Sequence, residues 1–284
     1  MTKTSRHWVT MAVLGLVLGI LLAASPVLRT APPANLLPER IYRANLWMQT
    51  SAEYRAICLQ TFRIALNQVQ KTVQNASRQE GQPVGDDGKW MAVVTDLDET
   101  ILDNSRFRSE IAIRGLRSSP QLWTQWVVNN FKDVEFIPGA KAFIDEIEKL
   151  GVVVVYLSNR PDSERDSTIK TLAYLGIHTE PLAEASERRL LLQGNVPDKE
   201  SRRQLVAEKF HVVAYLGDNL GDFPGNSGSE IESRYQKVQQ HEELLGTQWF
   251  VLPNPVYGDW EAPILDNPLG HLKRTSNLRF VEGP

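Results

Sequence analysis

Val93-Val94-Thr95-Asp96-Leu97-Asp98-Glu99-Thr100 passes from β-branched residues into two carboxylates placed two positions apart. The apolar start reads as a buried strand. Along an extended chain residues i and i+2 point the same way, so Asp96 and Asp98 face one place. Two acids sharing a pocket repel each other, and each then needs its own environment: one kept ionised, ideally by a metal, the other free to carry a proton. That is the equipment for a nucleophile and a general acid. On its own a D-x-D after a core strand is weak evidence, because an ordinary turn with solvated acids has the same letters. The rest of the chain decides.

Two further apolar runs end in polar signals. Gly151-Val152-Val153-Val154-Val155-Tyr156-Leu157 is β-branched, too short for a helix, and stops at Ser158-Asn159-Arg160-Pro161. His211-Val212-Val213-Ala214-Tyr215-Leu216 stops at Gly217-Asp218-Asn219-Leu220-Gly221-Asp222-Phe223. Between them, Pro197-Asp198-Lys199-Glu200-Ser201-Arg202-Arg203 opens a segment whose Leu205, Val206 and Phe210 suit a helix. Continuous apolar strands separated by helical patterns predict an α/β fold with a parallel sheet covered on both faces. Ligands of such sheets collect beyond the carboxyl ends of the strands, where Asp96, Asp98, Ser158 and Asp218 would all lie.

Taken in order, Asp96-Leu97-Asp98-Glu99-Thr100, Ser158-Asn159-Arg160, Lys199 and Gly217-Asp218-Asn219-Leu220-Gly221-Asp222-Phe223 resemble the four motifs of the haloacid dehalogenase-like phosphohydrolases. More narrowly, the chain is similar to the class C acid phosphatases, a 5'-nucleotidase family named after an outer-membrane lipoprotein. The narrower resemblance is carried by Asn45-Leu46-Trp47-Met48-Gln49-Thr50-Ser51-Ala52-Glu53-Tyr54, by Trp123-Thr124-Gln125-Trp126 and Ile137-Pro138-Gly139-Ala140, and by the run from Leu252-Pro253-Asn254 through Tyr257 and Trp260 to Glu261. It implies a Rossmann-like parallel sheet flanked by helices, with a small cap and an N-terminal helical extension. It also implies Mg²⁺-dependent hydrolysis of phosphomonoesters, with nucleoside 5'-monophosphates the first choice of substrate.

The chemistry of the residues agrees with that implication. Phosphoryl transfer is mostly positioning and charge neutralisation. Asp96 is expected to be the nucleophile, forming an aspartyl phosphate, and Asp98 to protonate the leaving alkoxide and then take a proton from the attacking water. Ser158 offers a hydroxyl to the phosphoryl oxygens beside Asn159, and Lys199 supplies a point charge. Mg²⁺ prefers one or two carboxylates plus waters and substrate oxygens. Asp96 and Asp218 are the expected side-chain ligands, and the family pattern adds the main-chain carbonyl of Asp98. Asp222 either orients a metal-bound water or Lys199, or is a helix N-terminal charge. Arg202, three residues after Lys199, is expected at the lysine's acidic neighbours or at the substrate. Nucleobases are held by stacking, and Trp123, Trp126, Phe107, Tyr257 and Trp260 are the candidates. Tyr257 leads them, with core packing the competing role for each tryptophan.

The 284 residues, 42% apolar and 23% charged, allow a sizeable core. One catalytic domain is read over residues 37–284, with part of the long interval between Asp98 and Ser158, especially Phe107 to Phe136, forming the cap and Gln79 to Lys89 a loop. A net charge of −3 gives no reason to bind a nucleic acid polymer, and surface solvation accounts for most of Arg160, Arg165, Arg188, Arg189, Arg202 and Arg203. The five histidines show no zinc spacing. Residues 1–36 have the layout of a signal peptide or membrane anchor with a Pro-rich linker: Lys3, Arg6 and His7, an apolar run from Trp8 to Ala24, then Ser25-Pro26. An exported protein, in the periplasm or at the outer face of a bacterial membrane, is expected. Lipidation is not, because the one cysteine, Cys58, lies far beyond the apolar run, and a buried helical position suits it better than catalysis. Two rivals remain at this point: a phosphatase of the same fold acting on non-nucleotide monoesters, and a non-catalytic membrane-attached ligand-binding protein. Oligomeric state is not legible in the sequence.

Overall fold

The computed structural model describes residues 39–179, 189–194 and 198–264. The leader and Arg188 lie outside them. The described chain opens with two helices, α1 (Glu39–Thr50) and α2 (Ala52–Gln74). Ser51 separates them: its hydroxyl accepts the Tyr54 amide at 3.0 Å and caps α2. Tyr54, Cys58, Phe62, Ala65, Val69 and Val73 recur at spacings of three and four and form the buried stripe of α2. Cys58 is thus the buried helical residue expected, and desolvation pushes its thiol up to about 11.

The segment after α2 departs from the expected loop. β1 (Ser77–Gln79) and β2 (Gln82–Val84) pair antiparallel across Glu80-Gly81, whose φ values are 53° and 83°. Two-residue hairpin turns with both φ positive favour Asn-Gly or Asp-Gly, so Glu-Gly left a weaker signal.

The chain then enters the main sheet at β3 (Met91–Thr95). β4 (Leu102–Asp103) follows, then the cap helices α3 (Ser105–Ile113) and α4 (Pro120–Asn129), then β5 (Glu135–Phe136), which pairs antiparallel with β4 to close the stem of the insert. Ser119 caps α4 by accepting the Leu122 amide, with Pro120 at the first helical position. The remaining elements are α5 (Ala140–Lys149), β6 (Val153–Pro161), α6 (Arg165–Tyr174), β7 (Leu190–Gln193), α7 (Glu200–Lys209), β8 (His211–Gly217), α8 (Ile231–Gln240) and β9 (Trp249–Val251). Five strands make one parallel sheet in the order β7-β6-β3-β8-β9.

Alternation along the strands sorts the core into two layers. Val93, Val154, Tyr156, Ala214 and Leu216 pack with Cys58, Phe62 and Val69 of α2 and with Phe143, Ile144 and Ile147 of α5. Ala92, Val94, Val153, Val155 and Leu157 pack on the opposite face with Val206 and Phe210. Each buried Val, Leu, Ile or Phe among them contributes about 1.5–3 kcal/mol of burial. After β3 the chain builds outward through β6 and β7, then returns to place β8 on the other flank of β3. Helices from the two sides part there, leaving a crevice at the carboxyl end of β3.

Candidate active site

At the end of β3 the Asp96 amide still donates to Leu216 O at 3.0 Å, so the strand direction persists one residue beyond Thr95. Leu97 is wholly buried on the core side. Asp96 and Asp98 emerge together on the other side, into a cavity of about 480 Å³ that Ser158, Lys199, Asp218 and Asp222 also line. Asn159, Trp123 and Tyr257 complete the expected residues that the structure brings there.

Lys199, just before α7, lies between two acids: its Nζ donates to Asp96 Oδ1 at 2.5 Å and to Asp222 Oδ1 at 2.7 Å. Burial opposes its charge, but Asp222 and Asp96 outweigh that and hold the ammonium above its ordinary value. Carboxylate oxygens of Asp96, Asp218 and Asp222 lie within 4.8 Å of one another. Burial pushes Asp96 up to about 7, with Asp222 and Asp98 adding to the effect and Lys199 opposing it. Burial, then Asp222 and Asp96, likewise raise Asp218 well above the carboxylate range. Three hard oxygen ligands with too little positive charge between them make a fit site for a divalent cation.

The supports of this cluster were mostly not foreseen. Asp218 accepts from Thr100 Oγ1 and from Asn254 Nδ2, each at 2.9 Å, one bond to each oxygen. Asp222 sits in a short turn of Leu220–Asp222 and accepts the Asn219 amide at 2.9 Å. It comes so close to the strand end that a side chain at position 217 would overlap its carboxylate, which is why Gly217 stands there. Asp222 thus caps a turn, accepts from Lys199 and belongs to the acidic cluster. Lys237 on α8 is 3% exposed and donates to Leu220 O, Phe223 O and Gly225 O at 3.0, 3.0 and 2.8 Å, fixing the loop that carries Asp218 and Asp222.

Asp98 is held from a distance in sequence. Arg160 donates through Nε to Oδ2 at 2.9 Å and through Nη2 to Oδ1 at 2.7 Å, and Asn104 Nδ2 donates to Oδ1 at 2.9 Å. Arg160 is 2% exposed, Arg202 8% and Arg203 3%, so surface solvation does not describe them. They act instead as internal braces. Arg202 does not line the cavity: it donates to Ser158 O at 2.6 Å and Asn159 Oδ1 at 2.5 Å, holding that loop from behind. Arg203 donates to Gly221 O at 2.7 Å, supporting the Asp222 turn. Lys199, Arg202 and Arg203 stand at i, i+3 and i+4, a spacing that puts them on one helix face and could have flagged this role.

The cap contributes Arg108 and Trp123 to the cavity that Tyr257 also lines. Arg108 lies over the Tyr257 ring at 4.1 Å from its centroid. The Tyr257 hydroxyl donates to Glu99, a 1% exposed carboxyl at φ 58° that also accepts the Asn104 amide at 3.2 Å. Burial, with Asp98 adding, holds Glu99 well above the carboxylate range. Trp126 is a correction: it is 6% exposed, does not line this cavity, and donates its indole N–H to Asn104 Oδ1 at 3.0 Å. Phe107 is buried against both Trp123 and Trp126, with ring centroids 5.4 and 5.9 Å apart, and Trp260 lies outside the cavity lining.

Comparison with known proteins bears on what such a site does. Residues 33–260 match the model of the HAD superfamily, subfamily IIIB (acid phosphatase). Acid phosphatase 1 of Solanum lycopersicum is 28% identical over 185 residues, a region spanning 61% of this chain and 61% of the tomato protein. The class C acid phosphatase of Bacillus anthracis is 30% identical in sequence and superposes with a TM-score of 0.69 over 86% of this chain and 98% of its own. Its structure with tungstate bound gives a TM-score of 0.70 over 87% and 100% of the two chains. With the parallel sheet, the paired acids beyond β3 and a family match over residues 33–260, the chain belongs to the acid phosphatases of HAD subfamily IIIB, which are phosphoric monoester hydrolases.

Proposed function

We propose that this protein is an exported, Mg²⁺-dependent acid phosphatase that hydrolyses nucleoside 5'-monophosphates through an aspartyl phosphate on Asp96. The observation that carries this reading is one cavity lined by Asp96, Asp98, Ser158, Lys199 and Asp218 together with Trp123 and Tyr257. Its volume of about 480 Å³ falls within the range of small-molecule sites. The structure of the Bacillus anthracis relative has tungstate bound, a tetrahedral oxyanion of phosphate's shape, and this supports recognition of an oxyanion by a protein of this fold.

Asp96 attacks phosphorus in line while Lys199 and the Ser158 hydroxyl stabilise the charge gathering on the transferring group. Asp98 gives its proton to the leaving alkoxide. In the second step it takes a proton from the water that attacks phosphorus; the bond to Asp96 breaks, inorganic phosphate leaves, and the Asp96 carboxylate and the protonated Asp98 are restored. A cation at Asp96, Asp218 and the Asp98 carbonyl, with Asp222 behind it, would neutralise the phosphate and lower the repulsion that Asp96 meets on approach. Trp123 and Tyr257 take the leaving group, and stacking on a base is the contact they offer best.

Export follows from residues 1–36 rather than from the site. Among the described residues no helix is long and apolar enough to cross a membrane. Charged nucleotides do not cross membranes, so an external phosphatase would yield a transportable nucleoside. The test is phosphate release from purified protein against nucleoside mono-, di- and triphosphates, sugar phosphates and aryl phosphates, with and without Mg²⁺. Preference for nucleoside monophosphates in Mg²⁺ is expected. Equal rates on sugar phosphates would replace the nucleotide reading with the broader monoester one, and recovery of native protein only from cytosol would contradict export.

A further inference from the structure

Asn104 is fully buried at the start of the cap, and it joins the cap to the proton donor. Its side-chain oxygen accepts the Trp126 indole N–H at 3.0 Å, and its Nδ2 donates to Asp98 Oδ1 at 2.9 Å. An indole can only donate, so Trp126 fixes which end of the amide faces which neighbour: oxygen toward the indole, NH₂ toward Asp98. Asp98 Oδ1 then receives three donors, Asn104 Nδ2, Arg160 Nη2 at 2.7 Å and Arg160 Nε at 3.2 Å. Among the described residues Oδ2 receives only Arg160 Nε at 2.9 Å. One oxygen is crowded with donors and the other keeps lone-pair room for a proton.

We propose that Asn104, set by Trp126, is a positioning residue that reserves Oδ2 of Asp98 as the oxygen that carries the proton to the leaving group. As the bond from phosphorus to the leaving oxygen breaks and the bond to Asp96 forms, the proton on Oδ2 passes to the leaving oxygen and Asp98 returns to a carboxylate. The α4 helix that carries Trp123 at the cavity also carries Trp126. Leaving-group contact and proton delivery are therefore built on one helix. The inference rests on Asp98 as the general acid.

The experiment measures kcat/KM, which reports the first phosphoryl transfer, for alkyl phosphates and for nitrophenyl phosphate. An alkoxide needs the proton, whereas nitrophenolate leaves without it. Asn104→Ala and Trp126→Phe are expected to lower kcat/KM on alkyl esters about tenfold or more and on nitrophenyl phosphate less than about threefold, a fraction of the general-acid contribution of roughly 10²- to 10⁴-fold. Trp126→Phe keeps an aromatic ring against Phe107 while removing the N–H with the five-membered part of the indole, and it leaves Asn104 itself in place, so it carries the test even if Asn104→Ala fails to fold. Asp98→Asn, measured in parallel, separates the layers. If it is selective for alkyl esters while either the Asn104 or the Trp126 variant loses equally on both classes or loses nothing, the positioning role is overturned and the acid assignment stands. If Asp98→Asn itself loses equally on both classes, the acid assignment falls and the inference with it.

Discussion

Lys199 Nζ lies 2.5 Å from Asp96 Oδ1, a buried ion pair between the cation proposed to face the phosphate and the carboxylate proposed to attack it. Such a pair survives desolvation only because further partners satisfy it, here Asp222 at 2.7 Å.

Lys199→Met should therefore cost twice. Turnover is expected to fall on the order of 10²- to 10³-fold, as for the loss of one preorganised charge donor. Stability is expected to fall by about 3–5 kcal/mol, because Asp96 and Asp222 lose their shared partner. Steady-state phosphate release at saturating Mg²⁺ and urea unfolding in metal-free buffer read the two effects. A variant with wild-type turnover would remove Lys199 from the chemistry.

The acidic cluster also predicts a pH dependence of the metal-free protein. Asp96 is pushed up to about 7 by burial, and Asp218 is raised with it, from the ordinary value of 3.8. Between those pH values the folded state keeps protons that the unfolded chain has released. Stability from these groups is thus complete below about pH 4 and lost as pH rises through about 7. A divalent cation should relieve the repulsion at high pH, so Mg²⁺ is expected to raise the melting temperature more at pH 8 than at pH 5. Equal increments at the two pH values would count against the cluster as the metal site.

Lys237 touches no acid of the site, yet it donates to three carbonyls of the loop around Asp222. Lys237→Met should loosen that loop. The Mg²⁺ concentration for half-maximal activity is expected to rise by about tenfold, the worth of roughly 1.4 kcal/mol, with a smaller change in turnover at saturating metal. An unchanged metal titration would show that the loop holds its form without the lysine.

Tyr257 has two separable contributions. Its hydroxyl donates to Glu99 and its ring faces the cavity beneath Arg108. Tyr257→Phe should cost stability, about 1–3 kcal/mol for an orphaned buried acceptor, while keeping nucleotide preference. Tyr257→Ala should weaken nucleotides relative to a small aryl phosphate by about 1–3 kcal/mol in kcat/KM. Equal loss on both substrates would end the stacking role.

The sheet and the acids, serine and lysine gathered beyond it were legible because they rest on local patterns. Valine runs mark β3 and β6; Asp96 and Asp218 directly follow β3 and β8, Asp98 lies two residues after Asp96, and Ser158 closes the apolar run inside β6, which continues to Pro161. What stayed hidden depends on contacts distant in sequence. Arg160 reaches Asp98 across 62 positions and Asn254 reaches Asp218 across 36, and no periodicity reports either. β7 has four residues, too few for a pattern to stand out. Trp126 and Trp123 share one motif, yet the three-residue step between them sends one indole to Asn104 and the other to the cavity. The buried arginines read as surface charge because their carbonyl and carboxylate partners appear only once the chain has folded.

The central claim is that the phosphoryl group passes through Asp96. The most direct measurement is acid quench of the enzyme turning over ³²P-labelled nucleoside monophosphate, followed by peptide mapping, with Asp96→Asn as the control. The account predicts hydroxylamine-labile label on the peptide containing Asp96, and neither label nor turnover in a folded Asp96→Asn protein. Label on another residue, or near wild-type turnover by Asp96→Asn, would contradict it.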